Sequence, residues 1–451
     1  MKFVDTMWRN TKVIVRSGNP QLADDLEMCS IDSAKAIVVA TNNDIDTIKT
    51  IITIKDSSYR INHKAHITTK VYDSKNIKFI KELIPNKIET VFVHDLKARI
   101  FARTCLQPGS SMVYKDLFSF EGSEIYFEPI NNKLEKIIGM RFKDAVLSLK
   151  GGYLIGISRE NKQLVNPDPN LLIKKDDELI VIAEDDGKIV YHDNSELAKK
   201  SFEIKNKKTD HALNILMIGF NQSLIKILEE IDSYDLNKQK LLIMVQTKEE
   251  KALLLKAKPK STFKNCSIII GDGKERADLE KIKIEFYEVV CVFANNYQTN
   301  RTDEELDADT LLTLLHLHAI ESQKKLKLNF VTEILNETNV SVIQSINVDD
   351  FMVSNLLLSR IITQISENPK TNDVILDLIT EDGSELYLKF ADEYVPLNQE
   401  VNCYNLLAAA NKKKQLFIGY KLEKQPPVLN PSLETKLMFG PRDSIIVVSE
   451  D

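Results

Sequence analysis

Glu121-Gly122-Ser123-Glu124-Ile125-Tyr126-Phe127 returns later in the chain as Asp382-Gly383-Ser384-Glu385-Leu386-Tyr387-Leu388. Behind the first copy come Ile155-Gly156, Asn166-Pro167 and Asp177-Glu178-Leu179-Ile180-Val181-Ile182-Ala183-Glu184-Asp185. Behind the second, in the same order, come Ile418-Gly419, Asn430-Pro431 and Asp443-Ser444-Ile445-Ile446-Val447-Val448-Ser449-Glu450-Asp451. The separation drifts only from 261 residues at Glu124 and Glu385 to 264 at Asn166 and Asn430 and 266 at Glu184 and Glu450, the size of loop insertions. Such a period lies far above the roughly 20 to 50 residues of solenoid repeats, so the chain reads as a duplicated domain.

With 451 residues, 43% hydrophobic and 28% charged, the chain has the composition of a globular protein of about three or four domain-sized units. A net charge of −6 gives no basic face, so no nucleic-acid partner is expected. The five cysteines are scattered without a CxxC pair, as buried thiols on a reducing, intracellular side are. Met1 to Asn10 lacks the apolar core of a signal peptide, and no run approaches the roughly 18 apolar residues of a membrane span.

Val13 to Arg16 reads as a strand closed by Ser17-Gly18-Asn19-Pro20, and Gln21 to Cys29 has helical character. Ala36 to Ala40 is a wholly apolar strand, followed by a helix from Asp44 to Lys55. His66 to Val71, a helix around Asn76 to Leu83, and Thr90 to Val93 continue the alternation, which predicts a parallel, doubly wound sheet. The helix from Asp95 to Cys105 carries Leu96, Ile100, Phe101 and Cys105 on one side and Asp95, Arg99 and Arg103 on the other. From Ser123 to Asp186 short strands and glycine turns form a small α+β lobe. The second unit opens with the buried strand Asn214 to Gly219, then strands at Leu241 to Val245, Ser267 to Ile270, Val289 to Ala294 and Leu328 to Thr332, with a helix from Asp309 to Gln323. The domain reading is 1–107 and 211–365 for two Rossmann-like lobes, 108–187 and 366–451 for two small lobes, and 188–210 for a linker.

The strand-to-helix turn after Ile218 stands where a dinucleotide fingerprint would. Gly219 is present, but Asn221 and Leu224 occupy the second and third glycine positions of G-x-G-x-x-G, so Gly219 is a candidate cofactor-binding residue in a degenerate turn. Asp25-Leu26-Glu27 matches Asp278-Leu279-Glu280 at an offset of 253, which carries the counterpart of Gly219 to before Met1. The expectation is a first sheet without its leading strands, with an exposed edge near Val13 to Arg16.

These features resemble the cytosolic part of the CASTOR/POLLUX family of ion channels. The residues carrying the resemblance are Val15 to Pro20, Glu89 to Asp95, Leu106-Gln107-Pro108-Gly109, Asn166-Pro167-Asp168 and Val181 to Asp186, then Val353-Ser354-Asn355, Phe417 to Tyr420 and Leu429-Asn430-Pro431. The resemblance implies two tandem RCK (regulator of potassium conductance) units, each a Rossmann-like parallel sheet lobe plus a small α+β C-terminal lobe. It implies a homotetrameric gating ring at the cytoplasmic face of a membrane, beneath a cation pore encoded upstream or on a separate chain. Calcium-gated RCK modules of the wider family place an Asp just after the strand matching Ala36 to Ala40, against acids on the next strand. Asp44 falls on that position and Lys70 and Tyr72 on the others, so the metal candidates are Asp44, Asp46 and Asp73, with Ca2+ or another cation as regulatory ligand. The plainer role of Asp44 is a helix N-cap.

Asp303 to Asp309 reads as the acidic start of a helix, and His316 and His318, two apart, face different sides of it. No Ser/His/Asp order, G-x-S-x-G elbow or Walker loop is present, so the chain is not read as an enzyme. The competing classes are a gating ring, a soluble regulatory subunit docking on a separate transporter, and a nicotinamide-dependent enzyme. The stretches Asp95 to Cys105 and Asp350 to Ile365 read as crossover helices. The second is apolar over most of its circumference, so each is expected to pack on the adjoining unit as well as its own.

Overall fold

The computed structural model describes residues 4–8, 11–56, 65–119, 122–197, 202, 213–234, 240–257, 265–297, 300–346, 348, 350–381, 383–423 and 425–450. Glu121, Asp382 and Asp451 of the repeat and much of the 188–210 linker lie outside the described residues, and the counts below are of the described residues.

An antiparallel pair, β1 (Val4–Trp8) and β2 (Thr11–Val15), and a helix α1 (Ala23–Glu27) come first. Then β3 (Ala36–Val39), α2 (Asp44–Asp56), β4 (His66–Val71), α3 (Lys75–Leu83) and β5 (Ile88–Phe92) alternate, the strands pairing in parallel in the order β3-β4-β5. Two helices, α4 (Val93–Leu106) and α5 (Ser110–Leu117), lead to the first small lobe. It holds β6 (Glu124–Pro129), α6 (Phe142–Val146), β7 (Leu149–Lys150), β8 (Gly152–Arg159), β9 (Lys162–Val165), β10 (Glu178–Ala183) and β11 (Val190–Tyr191).

The second Rossmann lobe runs β12 (Ile215–Ile218), α7 (Leu224–Ser233), β13 (Leu241–Val245), α8 (Lys248–Ala257), β14 (Cys266–Ile270), α9 (Arg276–Glu280), β15 (Val289–Val292), α10 (Asp303–Lys324), β16 (Asn329–Ile334), α11 (Val340–Ser345) and β17 (Asp350–Val353). Its six strands are parallel, in the order β14-β13-β12-β15-β16-β17. The central strands are apolar throughout because helices cover both faces, and β12 and β15 are buried at every residue. The helices α12 (Ser354–Glu367) and α13 (Thr371–Ile379) then lead to β18 (Glu385–Phe390), β19 (Glu400–Asn402), α14 (Cys403–Lys412), β20 (Leu416–Lys421), β21 (Val428–Leu429), β22 (Lys436–Met438) and β23 (Ser444–Ser449).

The small lobes share one antiparallel strand order, β6-β10-β8-β9 in the first and β18-β23-β20-β21 in the second. Their common residues make the turns and the bulge. Asn166 and Asn430 both take the left-handed conformation, φ 46° and 50°, which Asn tolerates better than most residues. Their N–H groups donate to Ile155 and Ile418 carbonyls. At each sheet's register shift sits Gly156 or Gly419. A Cβ there would lie 2.4 Å from the Leu164 oxygen or 2.3 Å from the Val428 oxygen.

Two expectations need correction. Val13 to Arg16 does not edge the parallel sheet, because β2 pairs with β1. In the second lobe the corresponding strand β14 leans on β13. The first lobe shows no counterpart of β12 and β13 among the described residues, so β1 pairs with one side of β2, and the edge of β3 that β12 would cover is unpaired in its sheet. Second, Asp350 to Val353 is not helical but the sixth strand, fully buried and paired with β16. A short apolar run beside a helix carries no periodicity to separate the two.

Two compact units form, one of residues up to Leu96 with Leu358–Asn372, the other of Lys97–Leu357 with the residues from Asp373. The helix α4 therefore starts in the first and ends in the second, and α12 does the reverse.

Candidate functional site

Asp44, the first residue of α2, is buried, and its carboxylate is spent on the chain. Oδ1 accepts from the Tyr72 N–H at 2.8 Å, and Oδ2 accepts from the Asp73 N–H and Asn76 Nδ2, each at 2.8 Å. Asp307 repeats the arrangement 263 residues on. Its oxygens accept from the Leu335 and Asn336 N–H groups at 2.9 Å and from Asn339 Nδ2 at 2.8 Å. In both lobes a helical carboxylate ties to the exit of the next strand. Asp46 accepts from Gln21 Nε2 and Asn43 Nδ2, and Asp73 from the Lys75 N–H. Among the described residues, no group of three or more His, Cys, Asp or Glu is gathered as a metal site. The Asp307 set was readable in advance, since Asp44, Asp73 and Asn76 recur as Asp307, Asn336 and Asn339 at one offset.

Gly219 lies where the strand order reverses around β12, the place at which open α/β sheets bind ligands. Its φ is +98°, and a Cβ would stand 2.6 Å from the Phe293 oxygen, so glycine is required by the neighbouring strand. Asn221, buried, turns its side chain back: Oδ1 accepts from the Ser223 N–H and Nδ2 donates to Glu333 Oε2 at 2.7 Å. The crevice outside these strands is filled by its own side chains. Arg301 donates to Asp309 at 2.6 Å, Lys274 Nζ lies 3.0 Å from Asp309, and Gln246 bridges Asn295 and Asp272. Burial works to raise the Asp309 carboxyl, but hydrogen bonds from Arg301 and Lys274 outweigh it and hold the group below the usual range. The space remaining is about 20 Å³, room for a water and not for a nucleotide. An anionic ligand would have to draw Lys274 and Arg301 away from Asp309.

The densest polar chemistry surrounds α4 from Lys97 onward. Arg99 pairs with Glu230 at 3.2 Å, and Lys97 approaches Glu333 at 3.8 Å. Arg103, 3% exposed, pairs at 3.2 Å with Glu385, 1% exposed, and its guanidinium lies 4.0 Å from the centre of the Tyr387 ring. Tyr234 and Tyr387 both donate hydroxyls to Glu385. Burial pulls Arg103 down, yet Glu385 and the tyrosines hold it above its ordinary value. Next along the chain, the Gly109 N–H and the Ser111 hydroxyl donate to buried Asp350, and Gln107 accepts from the Leu388 N–H. In the other unit, His66 Nε2 meets the Ser366 carbonyl at 2.6 Å, Asn372 donates to Glu89, and Ile361 and Ile365 of α12 are buried. Each crossover helix is thus fastened to the repeat it does not come from. The sequence reading set Arg99 and Arg103 on the polar side of α4. That side meets the second repeat, and single-helix periodicity could not name its partners.

Residues 94–199 match a family model described as Castor and Pollux, part of voltage-gated ion channel. Over 97% of its length the chain is 25% identical to the probable ion channel POLLUX of Arabidopsis thaliana, covering 57% of that protein. It is 24% identical to the ion channel CASTOR of Lotus japonicus over 98% of its length, covering 56% of that protein. The chain therefore spans little more than half the length of these curated relatives. Among solved structures, the human SLO3 gating ring superposes over 96% of this chain and 91% of its own, with TM-score 0.68 and 17% identity. The fold is that of RCK gating-ring domains, as expected. Among the described residues, no helix is long and apolar enough to cross a membrane.

Proposed function

We propose that this chain, whose sequence is similar to CASTOR and POLLUX ion channels along nearly its whole length, is the cytosolic ligand-sensing gating-ring region of a cation channel. It acts as a homotetramer beneath a membrane pore, at the membrane's cytoplasmic face. The observation that carries the reading is the exchange of crossover helices. A ring transmits force to a pore only if its lobes are clamped, and α4 and α12 are each held by the opposite repeat. The proposed domains are those read from the sequence, 1–107, 108–187, 211–365 and 366–451, with a linker at 188–210 whose opening residues, at β11, pair with β7 of the first small lobe. Ligand entry is proposed at the crevice by Gly219, where displacement of Asp309 from Lys274 and Arg301 would loosen the α10 end. A regulatory cation such as Ca2+ at Asp44, Asp46 and Asp73 is a second proposed input, one that would have to gather carboxylates now hydrogen-bonded within the chain. No catalytic role is assigned.

The test joins the chain to the pore segment of a curated relative and records single-channel currents in planar bilayers while Ca2+, nucleotides and other anions are varied on the side carrying the chain. A ligand-dependent open probability, altered by Asp309→Asn for an anion or by Asp73→Asn for a cation, is the expected result. Currents indifferent to every ligand, with the chain recovered as a monomer, would favour the alternative of a soluble regulatory subunit.

A further inference from the structure

We propose that Cys105 and Cys291 form an oxidation site, a buried thiol pair that closes to a disulfide and fastens α4 covalently to β15. Their Sγ atoms lie 3.1 Å apart, and both side chains are fully buried. The surrounding packing holds helix and strand in register. Phe101, one turn before Cys105, packs at a tilt against Phe293, two residues after Cys291, with ring centroids 4.6 Å apart and planes at 35°. Reaching the bond length of about 2.05 Å requires an approach of only about 1 Å, within reach of small side-chain rotations. The pair is confined to one of the two crossovers. At the repeat offsets of 261 and 253, the positions corresponding to Cys105 and Cys291 are Ser366 and Val38. Oxidation would therefore lock α4 and leave α12 free.

Access and ionisation set the rate. Burial first, and the neighbouring Cys291 second, push the Cys105 thiol well up, so little thiolate exists near neutral pH. A small oxidant such as hydrogen peroxide reaches the pair when the α4 contact breathes. One sulfur takes an oxygen from peroxide to become a sulfenic acid, releasing water. The second thiol attacks that sulfur, forming the S–S bond, and the hydroxyl departs with the thiol proton as a second water. Two thiols lose two electrons and two protons, and one peroxide becomes two waters. Contact with a resolving thiol spares the pair the higher oxides to which exposed Cys29 is open.

The experiment treats the whole chain with hydrogen peroxide at about pH 7 and about pH 8.5, quenches, denatures, alkylates, and digests without reductant for mass spectrometry. The expected product is a cross-linked peptide pair joining Cys105 to Cys291, two hydrogens lighter than the separate thiol peptides and formed faster at the higher pH. The oxidised protein should melt above the reduced one, and Cys291→Ser should abolish both cross-link and shift. The conservative Cys291→Ala serves if the serine variant folds poorly. Recovery of both peptides alkylated, under exposure that fully oxidises Cys29 and in enough urea to promote opening, overturns the proposal. So does a cross-link population dominated by other cysteine pairs.

Discussion

Asp44 and Asp307 stand 263 residues apart and hold matching sets of donors, so their carboxylates belong to the architecture of the lobe. A buried donor left without an acceptor costs about 1–3 kcal/mol. Asp307→Ala strands two backbone N–H groups and should lower stability by about 3 kcal/mol in urea unfolding, with Asp307→Asn, which keeps one acceptor, losing less. Asp350 carries a different liability. Burial raises its carboxyl from 3.8 to about 6, against the opposing pull of Gly109, Ser111 and Lys421. The folded chain thus holds this proton more tightly than the unfolded one. The resulting stability is full below about pH 4 and is lost as pH rises through about 6, a swing on the order of 3 kcal/mol. Wild type minus Asp350→Asn, measured by urea unfolding from about pH 4 to 7, isolates it. A flat difference, or one that rises with pH, sinks the assignment.

The exchanged helices place their strongest joint at Arg103 and Glu385, both nearly inaccessible to water. Removing one member of a buried pair strands the other, at about 3–5 kcal/mol, whereas replacing both with apolar residues can be close to neutral. Arg103→Met alone should therefore destabilise more than Arg103→Met with Glu385→Gln, which removes the stranded charge and keeps an acceptor for the Tyr234 and Tyr387 hydroxyls, and a double-mutant cycle by thermal and urea unfolding measures the coupling. A double variant as unstable as the sum of the singles would reduce the pair to independent packing. The need for such a joint was visible in the sequence, where the apolar circumference of Leu356 to Ile365 asks for two covers. The partners were not visible, because Arg103 and Glu385 lie 282 residues apart and no local period links them. The small lobes were the most legible part, since Gly156, Asn166 and Asp177 and their second copies are turn and bulge residues with fixed backbone demands. The strand β17 was the least legible, because four buried residues running directly into a helix offer no alternation.

The proposed ring also requires that copies of the chain associate with one another. Two features leave surface for such association: the unpaired edge of the three-stranded parallel sheet at β3, and the exposed apolar side chains Ile45, Ile52 and Phe79. Four copies of the 51.4 kDa chain is the expected closed species, and size-exclusion chromatography with light scattering across rising concentration measures it. Leu357→Asp supplies the structural control. It places a charge at a buried position of α12, where desolvation costs several kcal/mol, so the clamp should fail and the large species with it. A variant that stays folded by circular dichroism yet loses the tetramer ties assembly to the crossover. A variant that still forms the tetramer removes α12 from the mechanism. A wild-type chain that remains monomeric at every concentration, even when joined to a pore segment, leaves the soluble-subunit reading in place of the ring.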